Sequence, residues 1–234
     1  GVVDDGNGTD YCAEPNIFGP GAAAPIESQI CQCVDAEADR TFAHDPAICA
    51  VGNDCDDADP AVIGVVDDLY LDRNVTLCPG LYRVEDRRAP GTLIFNRSDL
   101  VLDCGGSALT GSDSGAGIAS AGFDRLIIRD CTLTNFSSGL VLDRSDDSRI
   151  ERLSVFSAAS TGALLSASSR NTIVDSFFVE SGSAGVMTET YARFNRILNS
   201  TFAGNLQRGI FIQSPANNVT HNLFNNTGEG VYDL

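Results

Sequence analysis

The C-terminal half of the chain repeats one pattern of apolar and polar positions. Six glycines mark the repeat, each followed by apolar or small residues as in GLVL at 139–142: Gly117, Gly139, Gly162, Gly185, Gly209 and Gly230. Four of these glycines follow a phenylalanine by six or seven residues. A period of about 21 to 24 residues indicates a repeat architecture, which takes precedence over any local assignment of helix or strand.

Short apolar segments broken by Ser, Asn, Asp and Gly predict strands and turns within each repeat. Leucine-rich repeats need a consensus that is missing here, and helical repeats are longer. Phe202 follows Ile197 by five residues, so both side chains face inward only if the chain bends between them. The bend falls at Asn199-Ser200, and the corresponding pairs of turn-forming residues are Asp130-Cys131, Asp175-Ser176 and His221-Asn222.

The repeats therefore predict coils of short strands around an apolar centre. Stacked coils are spaced by about 4.8 Å, the usual distance between strands. One internal ladder is expected to contain Leu133, Phe156, Phe178, Phe202 and Phe224.

The wording of the repeats also resembles a known group of proteins. The segments at 196–214 (RILNSTFAGNLQRGIFIQS) and 171–190 (NTIVDSFFVESGSAGVMTET) are similar to the repeats of pectate-lyase-like and NosD-like proteins, and those at 74–84 and 100–111 resemble their opening coils. The resemblance implies an all-β fold, a right-handed parallel β-helix of about six to seven coils over residues 74–234. It implies little about function, because this solenoid carries enzymes, adhesins and structural proteins alike.

Residues 1–73 are rich in Cys and Asp and contain no repeat, and we interpret them as an irregular cap over one end of the solenoid. The phrase NDCDDADP at 53–60 brings together Asp54, Asp56, Asp57 and Asp59, carboxylates of the kind that bind Ca²⁺. It resembles the DCDD segment of metal-binding modules on bacterial surface proteins, although their later CDG…DCDG phrase is missing. The alternative is a solvated turn that binds nothing.

Charge excludes two classes of partner. All 15 basic residues are arginines and 32 residues are acidic, which gives a net charge of −17. Such a surface repels nucleic acid and anionic membranes. No apolar stretch has the length of a membrane span, and the chain reads as a mature, processed protein.

Eight cysteines indicate an oxidising location, extracellular or at the cell surface. Cys104 and Cys131 end the same phrase in successive coils, and stacked positions about 4.8 Å apart suit a disulfide. The other six allow 15 pairings, and the sequence leaves their order open: Cys12, Cys31, Cys33, Cys49, Cys55 and Cys78.

Acceptor sequences for N-glycosylation are frequent, which is a second sign of an external location. They occur at Asn7, Asn74, Asn96, Asn135, Asn199, Asn218 and Asn225. Part of the excess has a structural explanation, because the turns of such coils favour Asn beside Ser or Thr.

Catalysis is not favoured by the residues. A lyase-like resemblance implies a groove with several carboxylates and an arginine base, for which Asp130, Arg129, Arg152 and Asp175 are available. No row of stacked positions collects three acids, however: the row Asp130, Leu153, Asp175, Asn199 and His221 is mixed, and Arg129 is expected beside Arg152. There is no Trp to stack on sugars along a groove.

We therefore expect a secreted structural protein, a surface or filament building block that forms a homo-oligomer or polymer by head-to-tail contacts between β-helices. The alternative is a polysaccharide-active enzyme or a carbohydrate-binding module.

Overall fold

The computed structural model of the protein describes residues 62–84, 90–225 and 228–234, and the strands β1 (Val2–Asp4), β2 (Asp10–Cys12) and β3 (Gln32–Cys33). The chain divides into two compact units, Gly1–Gly64 and Val65–Leu234. In the first unit, β1, β2 and β3 form an antiparallel sheet in that order, and β4 (Val62–Ile63) follows along the chain. The capping role of residues 1–73 falls mostly outside the described residues and stays a prediction.

The described part of the second unit contains strands joined by turns, and it contains no helix. The strands are β5 (Leu69–Leu71), β6 (Val75–Leu77), β7 (Leu81–Arg83), β8 (Leu93–Phe95), β9 (Val101–Asp103), β10 (Ala108–Ala121), β11 (Ile127–Arg129), β12 (Thr132–Asp143), β13 (Arg149–Glu151), β14 (Ser154–Phe156), β15 (Thr161–Ser166), β16 (Thr172–Val174), β17 (Phe177–Val179), β18 (Ala184–Thr188), β19 (Arg196–Leu198), β20 (Thr201–Ala203), β21 (Arg208–Ile212), β22 (Asn218–Thr220), β23 (Leu223–Asn225) and β24 (Glu229–Asp233).

These strands wind into a right-handed parallel β-helix of about 7 turns, which confirms the predicted fold. Three rows of parallel strands form its faces. Face 1 runs in the order β6-β9-β11-β13-β16-β19-β22. Face 2 contains β7, the first residues of β10 and β12, then β14, β17, β20 and β23. Face 3 contains β5, β8, the later parts of β10 and β12, then β15, β18, β21 and β24.

The predicted internal ladder exists, with one residue corrected. Along face 2, Leu133 is paired with Val155, Val155 with Phe178, and Phe178 with Phe202, and all four side chains are buried. The Phe178 and Phe202 rings stack with centroids 5.3 Å apart, and Phe224 continues the stack at 5.2 Å from Phe202.

The prediction for Phe156 was wrong. Phe156 pairs with Thr134 and Val179 on the outside of face 2 and is 38% exposed. A shift of one residue along a strand turns a side chain from the inner to the outer side of the same sheet. The β-branched Val155 fills the internal place instead, directly beneath Phe178.

The glycine column is a consequence of this ladder. The glycines lie side by side on face 3, where the chain leaves face 2. A Cβ on Gly185 would lie 2.6 Å from Cδ1 of Phe202 and 2.8 Å from the carbonyl oxygen of Gly209. Four of the six glycines thus leave room for the ladder side chain of the next coil, which explains why the two features recur together: Gly117, Gly139, Gly162 and Gly185.

Buried polar side chains form ladders of their own at the turns. At the turn that precedes face 1, the backbone N–H of Asn171 donates to Oδ1 of Asn195, at 2.9 Å, and the N–H of Asn195 donates to Oδ1 of Asn217, also at 2.9 Å. The Nδ2 of Asn195 donates to the Ser168 carbonyl at 2.9 Å. Each buried amide is thus paired with the neighbouring coil, as a buried polar group requires.

Candidate functional site

The turns between face 1 and face 2 line up as one row on the surface. Asp130, Asp175, Asn199 and His221 have φ values of 56°, 53°, 48° and 57°, the left-handed conformation expected at the predicted bends. The coil between Asp130 and Asp175 contributes Arg152, at φ 48°. The prediction that Leu153 belongs to this row was wrong, because the Leu153 side chain is fully buried.

Arg152 lies over Asp130 as a two-pronged ion pair. Its Nε and Nη2 donate to the two carboxylate oxygens of Asp130 at 2.6 and 2.7 Å. The hydrogen bond from Arg152 holds the pKa of Asp130 below its ordinary value, and the pair raises the pKa of Arg152. Farther along the row, Nδ2 of Asn199 donates to Asp175.

Arg129 does not stack on Arg152, contrary to the sequence prediction. It lies on face 1, where its Nε donates to Asp103 at 2.8 Å and its strand pairs with Glu151. The reason is register: Arg129 belongs to a strand, whereas Arg152 belongs to the turn that follows one. Arg149 also donates to Glu151.

A second row of turns, between face 3 and face 1, alternates acid and base. Asp99, Arg125, Asp147 and Arg170 occupy successive coils, all with positive φ. Arg125 donates to Asp99 through Nε at 2.5 Å and Nη2 at 2.7 Å, and Arg170 donates to Asp147 through Nε at 2.7 Å and Nη2 at 2.8 Å. These hydrogen bonds lower the pKa of Asp99 and of Asp147.

Three carboxylates of the two rows, Asp99, Asp130 and Asp147, are each paired with an arginine of the next coil, which lowers their pKa. A general acid needs a carboxyl whose pKa is raised towards neutrality, and these are shifted the other way. Within the described part of the chain, no three His, Cys, Asp or Glu side chains gather in a way that could hold a metal ion. These ion pairs connect successive coils, and their side chains do not gather around one common site.

The second unit also contains an open cleft of about 910 Å³ that the sequence did not suggest. Val65, Asp67, Arg83, Thr110 and Asn135 line it. Oδ1 of Asp67 is buried there and has no hydrogen-bond partner among the described residues. The one sequence signal is the run of small residues at 111–115, where the pairing of β10 with β12 shifts register.

Cys104 and Cys131 form the disulfide that the sequence predicts, with Cα atoms 4.8 Å apart. It joins two successive coils next to the first row of turns. Cys78 is also disulfide-bonded. The pairing of the remaining cysteines lies outside the described residues and stays open.

Five of the predicted glycosylation acceptors are exposed: Asn74, Asn96, Asn199, Asn218 and Asn225. Asn135 is half-buried in the cleft, and Asn7 lies outside the described residues. Glycosylation stays a prediction at each of them.

The predicted calcium ligands Asp54, Asp56, Asp57 and Asp59 also fall outside the described residues. Calcium binding there stays a prediction. In the part of the chain that the structure describes, no helix is long and apolar enough to span a membrane.

One solved structure with a similar fold is a crystal structure of a mutant of the periplasmic alginate epimerase AlgG. The two chains are 12% identical, with a TM-score of 0.44. The match covers 70% of this chain and 46% of the epimerase, so this protein spans about half the length of that one. No curated protein matches the sequence significantly.

A family model described as "Periplasmic copper-binding protein (NosD)" matches residues 72–234. A disulfide between stacked coils requires an oxidising compartment, in agreement with that description. The protein acts outside the cytoplasm, in the periplasm or at the cell exterior, as the sequence analysis predicts. Because the matched region covers more than half of the chain, the protein belongs to the NosD family of β-helix proteins.

Proposed function

We propose that this extracytoplasmic protein is a structural β-helix, a building block whose copies join end to end into a filament. The observation that carries the proposal is that surface carboxylates of the turns and of face 1 are already bound to arginines. Asp99, Asp103, Asp130 and Asp147 each accept hydrogen bonds from an arginine of the following coil. Residues arranged in this way stabilise a column.

The proposal places the end-to-end contact on the apolar residues of the last described coil. Phe224 is half-buried and Val231 is 43% exposed, whereas Phe202 and Ile210, their neighbours in the preceding coil, are fully buried. A coil of a second copy stacked on β22, β23 and β24 would cover Phe224 and Val231 as the other coils cover one another. Burying apolar area contributes about 25 cal/mol per Å².

Negative-stain microscopy and light scattering of the purified full chain test this proposal. We expect linear oligomers for the wild type and monomers for Phe224→Asp, because the substitution places a charge at the stacking surface. Phe194→Asp is the matched control, since Phe194 is an exposed turn residue outside the last described coil, with a positive φ that Asp tolerates. A wild type that stays monomeric at all concentrations contradicts the proposal.

A polysaccharide-active or polysaccharide-binding protein is the second candidate. The cleft supports it, because Asp67 and Arg83 there offer a carboxylate and a guanidinium to a sugar chain. Incubation with a panel of uronate polysaccharides tests this reading. Turnover that Asp67→Asn abolishes while the fold is retained would favour it over a structural role.

Calcium is part of the proposal through Asp54, Asp56, Asp57 and Asp59. The support is their closeness in sequence, which supplies several hard oxygen ligands to one cation. Titration calorimetry with Ca²⁺ checks it: the double variant Asp56→Asn, Asp57→Asn should lose binding that the wild type shows. Equal heats for the two proteins would contradict the site.

Copper, named in the family's description, is not part of the proposal. Copper sites use thiolate, thioether and imidazole ligands. In the described part of the second unit, the sulfur and imidazole side chains are those of Met187 on face 3, His221 in the first row of turns, and the disulfide-bonded Cys78, Cys104 and Cys131. Met187 and His221 lie on different sides of the coil, so this ligand set does not fit copper.

A further inference from the structure

The outer side of face 2 differs from the rest of the protein in charge. Its two outward columns contain no carboxylate, and Arg83 is their one charged residue, although the chain carries 32 acidic residues. Read along the β-helix, the columns are Leu81, Ala108, Thr132, Ser154, Phe177, Thr201 and Leu223, and Arg83, Thr110, Thr134, Phe156, Val179, Ala203 and Asn225.

The apolar residues of this face lie at its middle and its two ends. Phe177 is 48% exposed and lies diagonally across from Phe156, with Val179 beside them. Threonine and serine side chains lie beside this centre in the two columns, and the exposed Glu180 follows Val179 at the edge of the face. Leu81 and Leu223, at opposite ends of one column, are both largely exposed. An apolar centre within a polar rim is the usual anatomy of a protein interface.

We propose that face 2 is the surface through which copies of this chain pack side by side. The charge distribution selects a second copy as the occupant. Two molecules of net charge −17 repel each other, and face 2 is the described face whose two outward columns contain no carboxylate. The column is also self-complementary, because a two-fold axis near its middle strand β14 brings Leu81 of one copy to Leu223 of the other.

The other faces fit a second copy less well. Face 1 carries Asp103, Arg129, Arg149, Glu151 and Arg196 on its outer side. On face 3, one apolar column runs outward through Val141, Leu164, Met187 and Phe211, but Asp143, Glu189 and the Arg208–Glu229 pair lie beside it. A partner of like charge would meet those carboxylates.

Size decides how strong the contact is. Seven strands about 4.8 Å apart, each three residues wide, give a strip about 29 Å by 10 Å. That area is below the roughly 800 Å² per partner that a stable pair needs. Single copies therefore pair weakly, and the contact becomes strong only where many copies are already joined, since linked weak contacts reinforce one another. In this respect the inference rests on the proposed end-to-end assembly, and it predicts paired or sheet-like filaments.

Cysteine cross-linking captures a weak contact and tests the pairing without any filament. Ser154→Cys places a thiol on the middle strand of face 2, and Thr172→Cys places one on face 1 as the matched control. We expect mild oxidation to give a concentration-dependent covalent dimer for Ser154→Cys. Adding Phe177→Asp should reduce the dimer at least tenfold, and the control should stay monomeric. Equal cross-linking on both faces, or none at high concentration, would overturn the inference.

Microscopy separates this inference from the proposed function. If the wild type forms single filaments and Phe177→Asp forms the same ones, the lateral contact is contradicted, whereas the end-to-end assembly is supported. If Ser154→Cys gives cross-linked dimers and no filaments form, the lateral contact is supported and the end-to-end assembly is contradicted. If Ser154→Cys forms no dimer and the wild type instead binds a neutral cello-oligosaccharide that Phe177→Asp releases, face 2 is a glycan-binding surface and the inference is wrong.

Discussion

At the scale of single residues, stability depends on which side chains face inward. Phe178 is fully buried between Val155 and Phe202, whereas Phe156, close to it in sequence, points outward. Phe178→Ala should lower the free energy of unfolding by about 3 to 5 kcal/mol, because it removes a stacked ring and leaves a cavity. Denaturant titration followed by circular dichroism measures the loss.

Phe156→Ala is the control for this prediction. It removes the same atoms from a partly exposed position, so the expected loss is at most about 1 kcal/mol. Equal losses for the two variants, or a larger loss at Phe156, would mean that the register of face 2 is shifted by one residue.

The same comparison shows what the sequence could predict at this scale. The bends at Asp130, Asp175, Asn199 and His221 were found because Asp, Asn and His tolerate a positive φ. Arg152 was missed because arginine is not a typical turn residue, and its φ of 48° is imposed by the coils on either side. Val155 was missed because the adjacent Phe156 matches the aromatic of the other repeats, and the choice between them depends on backbone register.

At the scale of strands and turns, polar contacts join neighbouring coils both on the surface, through ion pairs, and in the interior, through buried asparagine side chains. The two ion-paired rows were not predicted, because their partners are separated by 22 to 26 residues and unequal coil lengths hide the repeat. The glycines were found because their spacing is visible without register. The uncharged character of face 2 appears only after each strand has been assigned its neighbours.

The Cys104–Cys131 disulfide adds a covalent connection between two coils. It closes a loop with a sequence separation of 27 residues, for which chain entropy predicts a contribution of about 3 to 4 kcal/mol. The double variant Cys104→Ala, Cys131→Ala should unfold at correspondingly lower denaturant concentration. The wild type under reducing conditions should show a shift at least as large, because reduction also opens the disulfide of Cys78. A double variant as stable as the oxidised wild type would contradict the prediction.

The Asp147–Arg170 pair should make stability depend on pH. Because Arg170 lowers the pKa of Asp147 in the folded protein, the stabilisation is present above the unfolded pKa of about 3.9. It is lost as the pH falls through the lower folded value. The melting temperature of Asp147→Asn should therefore lie below that of the wild type at pH 7, and the gap should shrink as the pH falls below about 3.9.

Comparison of two variants is needed here, because acidification also relieves repulsion within a chain of net charge −17. Asp113→Asn is the matched control. Asp113 is exposed and also has a positive φ, which Asn tolerates, and it forms no ion pair with the described residues. A gap that is the same for both variants at every pH would show that Arg170 contributes nothing.

At the scale of the whole molecule, a solenoid is stabilised by contacts between neighbouring coils, so its stability is close to a sum over them. The coil formed by residues 172–195 should therefore be removable as one unit. Arg196 lies in register with Thr172 and Thr201 with Phe177, so deleting 172–195 joins Asn171 to Arg196 without a change of register. Asn171 then takes the place of Asn195 in the asparagine ladder.

Deletion of residues 172–195 should consequently leave a folded β-helix that is one coil shorter. Both ion pairs of the preceding coils, Asp130–Arg152 and Asp147–Arg170, remain intact. We expect a cooperative unfolding transition at a lower temperature and an unchanged β signal in circular dichroism.

Deleting residues 184–195 is the control: it removes only β18 and the turn after it, and so joins face 2 directly to face 1. Half a coil cannot be removed without breaking every later pairing, so this variant should aggregate. If both deletions unfold the protein alike, the coils are not independent stacking units, and a filament built from such units loses its physical basis.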